Sequence, residues 1–212
     1  MAQGDYDNAI LQLEKSLQLY RENGSQQQYR VEVLSQIALF HYIIGESMQA
    51  VAYGEEAVHL ARSLGDPRVR GDAFTRMGRI LVRQGQLDNA TELFHQALAD
   101  FRQTEQDNHT MMPIAGLAEI ALRQGEVAQA QGWVEQILSH LETHQLDCTD
   151  EELYVYMTGY HVLSKLANPR AATLLKLAHA HLQTRAASLE GAEALNFFWS
   201  APPHAAVLAA LD

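Results

Sequence analysis

The sequence predicts an all-α fold: a solenoid of stacked antiparallel helix pairs, about four and a half repeats long, closed by a C-terminal helical cap. Two columns of small residues and one column of glycines carry that expectation. Alanines recur at Ala9, Ala50, Ala90, Ala130 and Ala171, spaced 41, 40, 40 and 41 residues apart. Twelve residues before the last four stand Ala38, Gly78, Ala118 and Gly159, and ahead of the first four alanines lie Gly4, Gly45, Gly85 and Gly125. A fixed period of this length marks a repeat architecture, in which one helix pair cannot bury both of its apolar faces and neighbouring pairs must stack.

Residues 1–24 read as a half repeat. The opening MAQGDYDNAI supplies a turn at Gly4, a small contact at Ala9 and a second helix, with Leu13 at the position that Phe94 holds two units on. Tyr6, Ile10 and Leu13 are expected to face the absent first helix, and a contiguous apolar patch of that kind marks an interface. Either the chain continues a longer array, or the face meets another molecule, for example a second copy as a homodimer. Full units follow at 25–66, 67–106 and 107–147, then a divergent one at 148–188. In the unit 67–106, Phe74, Met77, Gly78 and Leu81 share one helix face, and Leu87, Ala90, Phe94, Ala97 and Leu98 share another. The spacings of three, four and seven are helical. The small residues let two helices cross closely, and each glycine ends a first helix where a positive φ is needed. In the divergent unit Val155, Thr158, Gly159, Val162, Ala171, Leu175 and Ala178 keep the pattern, with Leu166 in place of the turn glycine. Residues 189–212 predict capping helices: one ending in Phe197, Phe198 and Trp199, then a Pro202-Pro203 break and a last helix to Leu211. Proline suits a first helical turn.

The motif Phe74-x2-Met77-Gly78-x2-Leu81, followed by Ala90-x3-Phe94 and Ala97, resembles the tetratricopeptide repeat. Leu34, Ile37, Ala38, His41, Ala50, Gly54 and Ala57 follow it in the preceding unit, and Ile114, Leu117, Ala118, Ala121, Ala130, Val134 and Ile137 in the next. The period of about 40 rather than 34 residues resembles the long-repeat subclass seen in kinesin light chains, G-protein-signalling adaptors and many bacterial regulators. The resemblance implies a right-handed α-solenoid and covers roughly residues 3–185. The tail, through Phe197-Phe198 and Pro203-His204, resembles the C-terminus of large bacterial regulators in which an NTPase or cyclase domain precedes such repeats.

Composition narrows the function. A net charge of −11 argues against a nucleic-acid partner, whose phosphates require a basic face. No segment reaches the roughly 20 apolar residues of a membrane span. The single cysteine, Cys148, excludes an internal disulfide and points to a reducing, cytoplasmic setting. No phosphate loop, nucleophile elbow or His-Glu-x-x-His motif occurs, and the adjacent carboxylates Glu55-Glu56 and Glu151-Glu152 diverge on a helix. His140, His144 and Cys148 are spaced for a metal on one continuous helix. The run from Leu146 to Asp150 reads as an inter-repeat turn that removes Cys148 from that stripe, so no metal and no cofactor are expected. The chain is not expected to be an enzyme.

The resemblance implies that first helices line a concave groove which holds a protein or peptide partner. By position, the groove would contain Glu32, Ser35, Gln36, Leu39, Tyr42 and Ile43, then Asp72, Thr75, Arg76, Arg79, Val82 and Arg83, then Met112, Ala115, Gly116, Glu119, Leu122 and Arg123, and finally Leu153, Tyr156, Met157, Tyr160, Leu163 and Ser164. Arg76, Arg79 and Arg83 share one helix face, and Arg123 repeats Arg83 one unit on. Two readings stay open. Arginine forks bind carboxylates, so this patch could anchor an acidic or C-terminal peptide, flanked by Tyr156 and Tyr160. Alternatively Arg79 pairs with Glu119, and Arg83 and Arg123 only complement helix C-termini. The family's carboxylate-clamp members use asparagine and lysine at groove positions; neither occurs here, which argues against a chaperone-tail receptor. The expected function is a scaffold or sensor module of a larger bacterial signalling or transcriptional regulator. The alternative is a structural module that self-associates through its N-terminal half repeat.

Overall fold

The computed structural model describes residues 2–23, 26–146 and 152–211. Its helices are α1 (Ala2–Asn23), α2 (Gln27–Ile44), α3 (Ser47–Leu64), α4 (Pro67–Arg83), α5 (Leu87–Gln103), α6 (Asp107–Arg123), α7 (Val127–Leu141), α8 (Glu152–Lys165), α9 (Ala171–Ala186), α10 (Ala192–Ser200) and α11 (Pro202–Leu211). No strand occurs among the described residues. The chain divides into two units, 3–116 and 117–212, with the division inside α6.

In the first unit the glycine column makes the turns. Gly45 has φ 89°, and Glu46 N–H donates to the His41 carbonyl at 2.8 Å. Gly85 has φ 75°, and Gln86 N–H donates to the Leu81 carbonyl at 3.0 Å. These bonds satisfy the last carbonyls of α2 and α4, and only the left-handed residue between them makes them possible. Each second helix then folds back on its first, α3 on α2 and α5 on α4, and α3 also packs on α4 of the next pair. Helix α4 starts where Asp66 Oδ1 accepts from Arg68 N–H (2.9 Å) and Val69 N–H (3.2 Å), with Pro67 in the first turn. Arg70 of α4 ties α5 by a fork on Asp100, Nε to Oδ2 at 2.8 Å and Nη2 to Oδ1 at 2.5 Å.

The small residues work by admitting large ones. Phe94 is fully buried, its ring tip wedged between α4 and α6. A Cβ on Gly78 would lie 2.6 Å from that ring, and one on Gly116 would lie 2.2 Å from it.

Two expectations for the N-terminus are corrected. Gly4 is not a turn: α1 is helical from Ala2 onward. A glycine costs little there, because first-turn amides have no intrahelical partner to lose. Nor do Tyr6, Ile10 and Leu13 form a bare face. Ile10 and Leu17 are core residues packed with Val31, Leu34 and Ile37 of α2 and Ala57 and Ala61 of α3, and Leu13 packs against them. Tyr6 meets Phe40 edge-on at 5.5 Å, and burial pushes its phenol pKa upward. One helix has one strongly apolar stripe, and α2 already covers it. What α1 leaves exposed is mostly polar, with Leu11 and Leu19 as its large apolar members.

In the second unit Gly125 repeats the turn, with φ 79° and Glu126 N–H on the Ala121 carbonyl at 2.8 Å. Helices α8 and α9 cross where Gly159 admits Leu174, whose Cδ1 would lie 2.5 Å from an added Cβ. The α8–α9 turn departs from the expected register. The left-handed residue is Ala167, not Leu166: its φ is 51°, and Asn168 N–H donates to the Leu163 carbonyl at 2.9 Å. A Cβ in this conformation crowds the following carbonyl. Ala167→Gly is therefore expected to stabilise the chain by about 0.5–1 kcal/mol, read as a higher urea midpoint at unchanged slope. Helix α11 packs on α9 and on α10. The Phe198 ring lies 4.2 Å from the His204 ring, and the His204 Nδ1–H donates to the Phe198 carbonyl at 2.6 Å, closing the Pro202-Pro203 break.

Candidate partner-binding surface

Two polar clusters form where the sequence placed a groove, one in each unit. In the first unit α2 and α4 pack side by side, which brings the last turn of α2 against the last turns of α4. Arg79 and Arg83 are one turn apart on α4, and both guanidinium groups lie over the Tyr42 ring, at 5.8 and 5.0 Å from its centroid. Each such contact contributes about 0.5–1 kcal/mol near a surface. Arg83 Nη1 also donates to the Tyr42 carbonyl at 2.5 Å. A cation thereby sits on the C-terminal end of α2, where the helix dipole favours it. The tyrosine holds two like charges close together, with Arg83 exposed and Arg79 half-buried. Arg76, also half-buried, precedes them on the same helix.

In the second unit Glu119 is the hub. Arg123 Nε and Nη2 donate to its Oε1 at 2.9 and 2.6 Å, and the Tyr154 hydroxyl donates to its Oε2 at 2.8 Å. Both carboxylate oxygens therefore have partners. Tyr154 went unrecognised in the sequence because its side chain was assigned to neither face. Tyr156 requires correction: it is 7 % exposed and cannot form a wall for a ligand. Tyr160 is half-buried beside His161, ring centroids 5.4 Å apart.

Other positions expected in the groove are closed as well: Ser35, Thr75, Val82, Met112, Ala115, Leu153, Met157 and Leu163 are buried, and Gly116 lies against Phe94. An inner helix of a stacked array is packed on more than one side, so its free face is narrower than helical periodicity implies. His140 and His144 stack at 4.6 Å. Cys148 lies outside the described residues, and no group of three metal-ligating side chains occurs among those that are described. No described helix is long and apolar enough to cross a membrane.

A family model described as "Tetratricopeptide repeat" matches residues 70–143. That segment consists of tetratricopeptide repeats. A second model, described as "Anaphase-promoting complex subunit 5", matches residues 1–69. Among solved structures, the chain is similar to BtubC (BKLC) from P. vanneervenii, with a TM-score of 0.61 at 19% identity, over 97% of this chain and 84% of that one. It is also similar to the nearly identical TPR-like repeats of a putative kinesin light chain from Podosopora anserina. A single-substitution form of those repeats gives a TM-score of 0.59 at 19% identity, over 86% of this chain and 89% of that one. A further structure of them gives 0.57 at 19% identity, over 84% and 87%. At this identity the likeness establishes the all-α repeat fold of the chain. No curated protein sequence matches it.

Proposed function

We propose that this chain is a non-catalytic interaction scaffold that binds an acidic peptide segment of a partner protein, with Arg79 and Arg83 as the anchor. Tetratricopeptide repeats are protein-binding scaffolds in general, and the finer reading rests on one observation. Two guanidinium groups of α4 converge on the single ring of Tyr42, next to Arg76, in a chain of net charge −11. Bidentate arginine contacts to carboxylates are strong and directional, and Tyr42 pre-orients the side chains that would make them. The tail, which resembles the C-terminus of large bacterial regulators, supports a module working within a bacterial signalling or transcriptional regulator in the cytoplasm.

The test is direct binding of fluorescein-labelled acidic peptides with free C-termini, read by polarisation at two salt concentrations. The wild-type chain is expected to bind with an affinity that falls as salt rises, and Arg79→Glu/Arg83→Glu to lose at least tenfold. Equal affinity for the two chains would remove the anchor. Covering of Tyr6, Ile10 and Leu13 by α2 weakens the self-association reading. The expected outcome of sedimentation across concentrations is a monomer.

A further inference from the structure

The first unit carries a crevice on the other side of α4. It lies between the second helices α3 and α5, encloses about 350 Å³, and is floored by Val58, Met77, Leu81 and Leu93. Met77 and Arg79 are two residues apart on one helix, so their side chains point about 200° apart; the crevice and the Tyr42 cluster are separate surfaces. Gly54 helps to make the floor: a Cβ there would lie 2.7 Å from Met77 Sδ, so α3 leaves room for that side chain.

The rim carries a carboxylate on each side, with the Arg62 cation on the α3 side as well. Glu55 of α3 and Glu92 of α5 line the crevice, together with His59, Asn89 and Arg62. The Arg62 guanidinium is held over the Phe74 ring at 5.2 Å. Glu92 accepts from the neutral Gln96 amide at 2.9 Å, and Glu55 has no hydrogen bond or ion pair among the described residues. Repeat packing does not require this pair of carboxylates. One unit on, the same positions hold His95 and Gly132; one unit back they hold Glu14 and Ala52, so the pair recurs in neither neighbouring unit.

We propose that this crevice binds a lysine or arginine side chain from an extended basic peptide. The aliphatic stem covers the apolar floor, and the cation reaches Glu55 and Glu92, as long basic side chains do when they bury methylenes and keep the charge at a polar edge. The volume lies at the low end for ligand pockets, which suits one long side chain. Complementary charge carries the choice: a carboxylate on each wall over a methylene-lined floor matches a cation on a flexible stem and repels an acidic one.

The probe is the capped pentapeptide Ac-Gly-Ala-Lys-Ala-Gly-amide, titrated into ¹⁵N-labelled full chain. Saturable amide shifts are expected in 54–62 and 89–93. Replacing lysine by norleucine, or making Glu55→Gln/Glu92→Gln, is expected to weaken binding at least tenfold. Glu22→Gln/Glu142→Gln, which changes net charge equally outside the crevice, is expected to stay within twofold, as is Arg79→Glu/Arg83→Glu. Absence of saturable shifts in those segments, equal binding of the norleucine peptide, or equal weakening by the Glu22/Glu142 pair each overturns the proposal.

Discussion

Phe94→Ala is expected to lower the unfolding free energy by about 3–5 kcal/mol, the range for deleting a buried aromatic ring. The upper part of that range applies here. Phe94 has no solvent exposure, and the walls nearest its ring tip are Gly78 and Gly116, which have no side chains to collapse into the space. The void therefore stays open, and its lining loses contacts with nothing in return. Urea unfolding followed by circular dichroism at 222 nm measures the effect. A loss below about 1.5 kcal/mol, less than the range for any deleted large apolar side chain, would mean that the ring is not wedged between α4 and α6.

Gly116→Ala tests the same contact from the other partner, and its sign depends on Phe94. On an isolated helix the change favours folding by about 1 kcal/mol, because glycine is the poorer helix former. Here the new methyl would stand 2.2 Å from Phe94 Cζ. The ring cannot retreat freely, since its Cε1 already lies 2.6 Å from where a Cβ on Gly78 would be. Overpacking a closed site costs about 1–3 kcal/mol, and a clash this severe sits at the top of the range, so a net loss of about 2 kcal/mol is expected. In a Phe94→Ala background the clash disappears, and Gly116→Ala should become stabilising by about 1 kcal/mol. That reversal is a coupling of about 3 kcal/mol between residues in contact. Equal effects in both backgrounds would show that the two residues do not meet.

The helix pairs were legible because their signals are local. A helix ended by a left-handed residue asks for glycine at that residue, and Gly45, Gly85 and Gly125 can be read off singly, whatever packs around them. The arginine patch on α4 was legible for the same reason: Arg76, Arg79 and Arg83 share a face by helical geometry alone.

What the tertiary structure decided is which faces remained free. Tyr6, Ile10 and Leu13 form an apolar stripe on any reading of α1, but only the packing of α2 shows that the stripe is already covered. Tyr156 and Tyr154 are two positions apart on α8; one is buried and the other reaches Glu119, because contacts from neighbouring helices close one direction and leave the other open. Tyr42 is an ordinary aromatic in the sequence, and it becomes the ring under two guanidinium groups once α2 and α4 lie side by side. Backbone conformation is set within a few residues and is written in them. Burial and pairing are set by residues some 40 positions away, and the chain discloses those only when it folds.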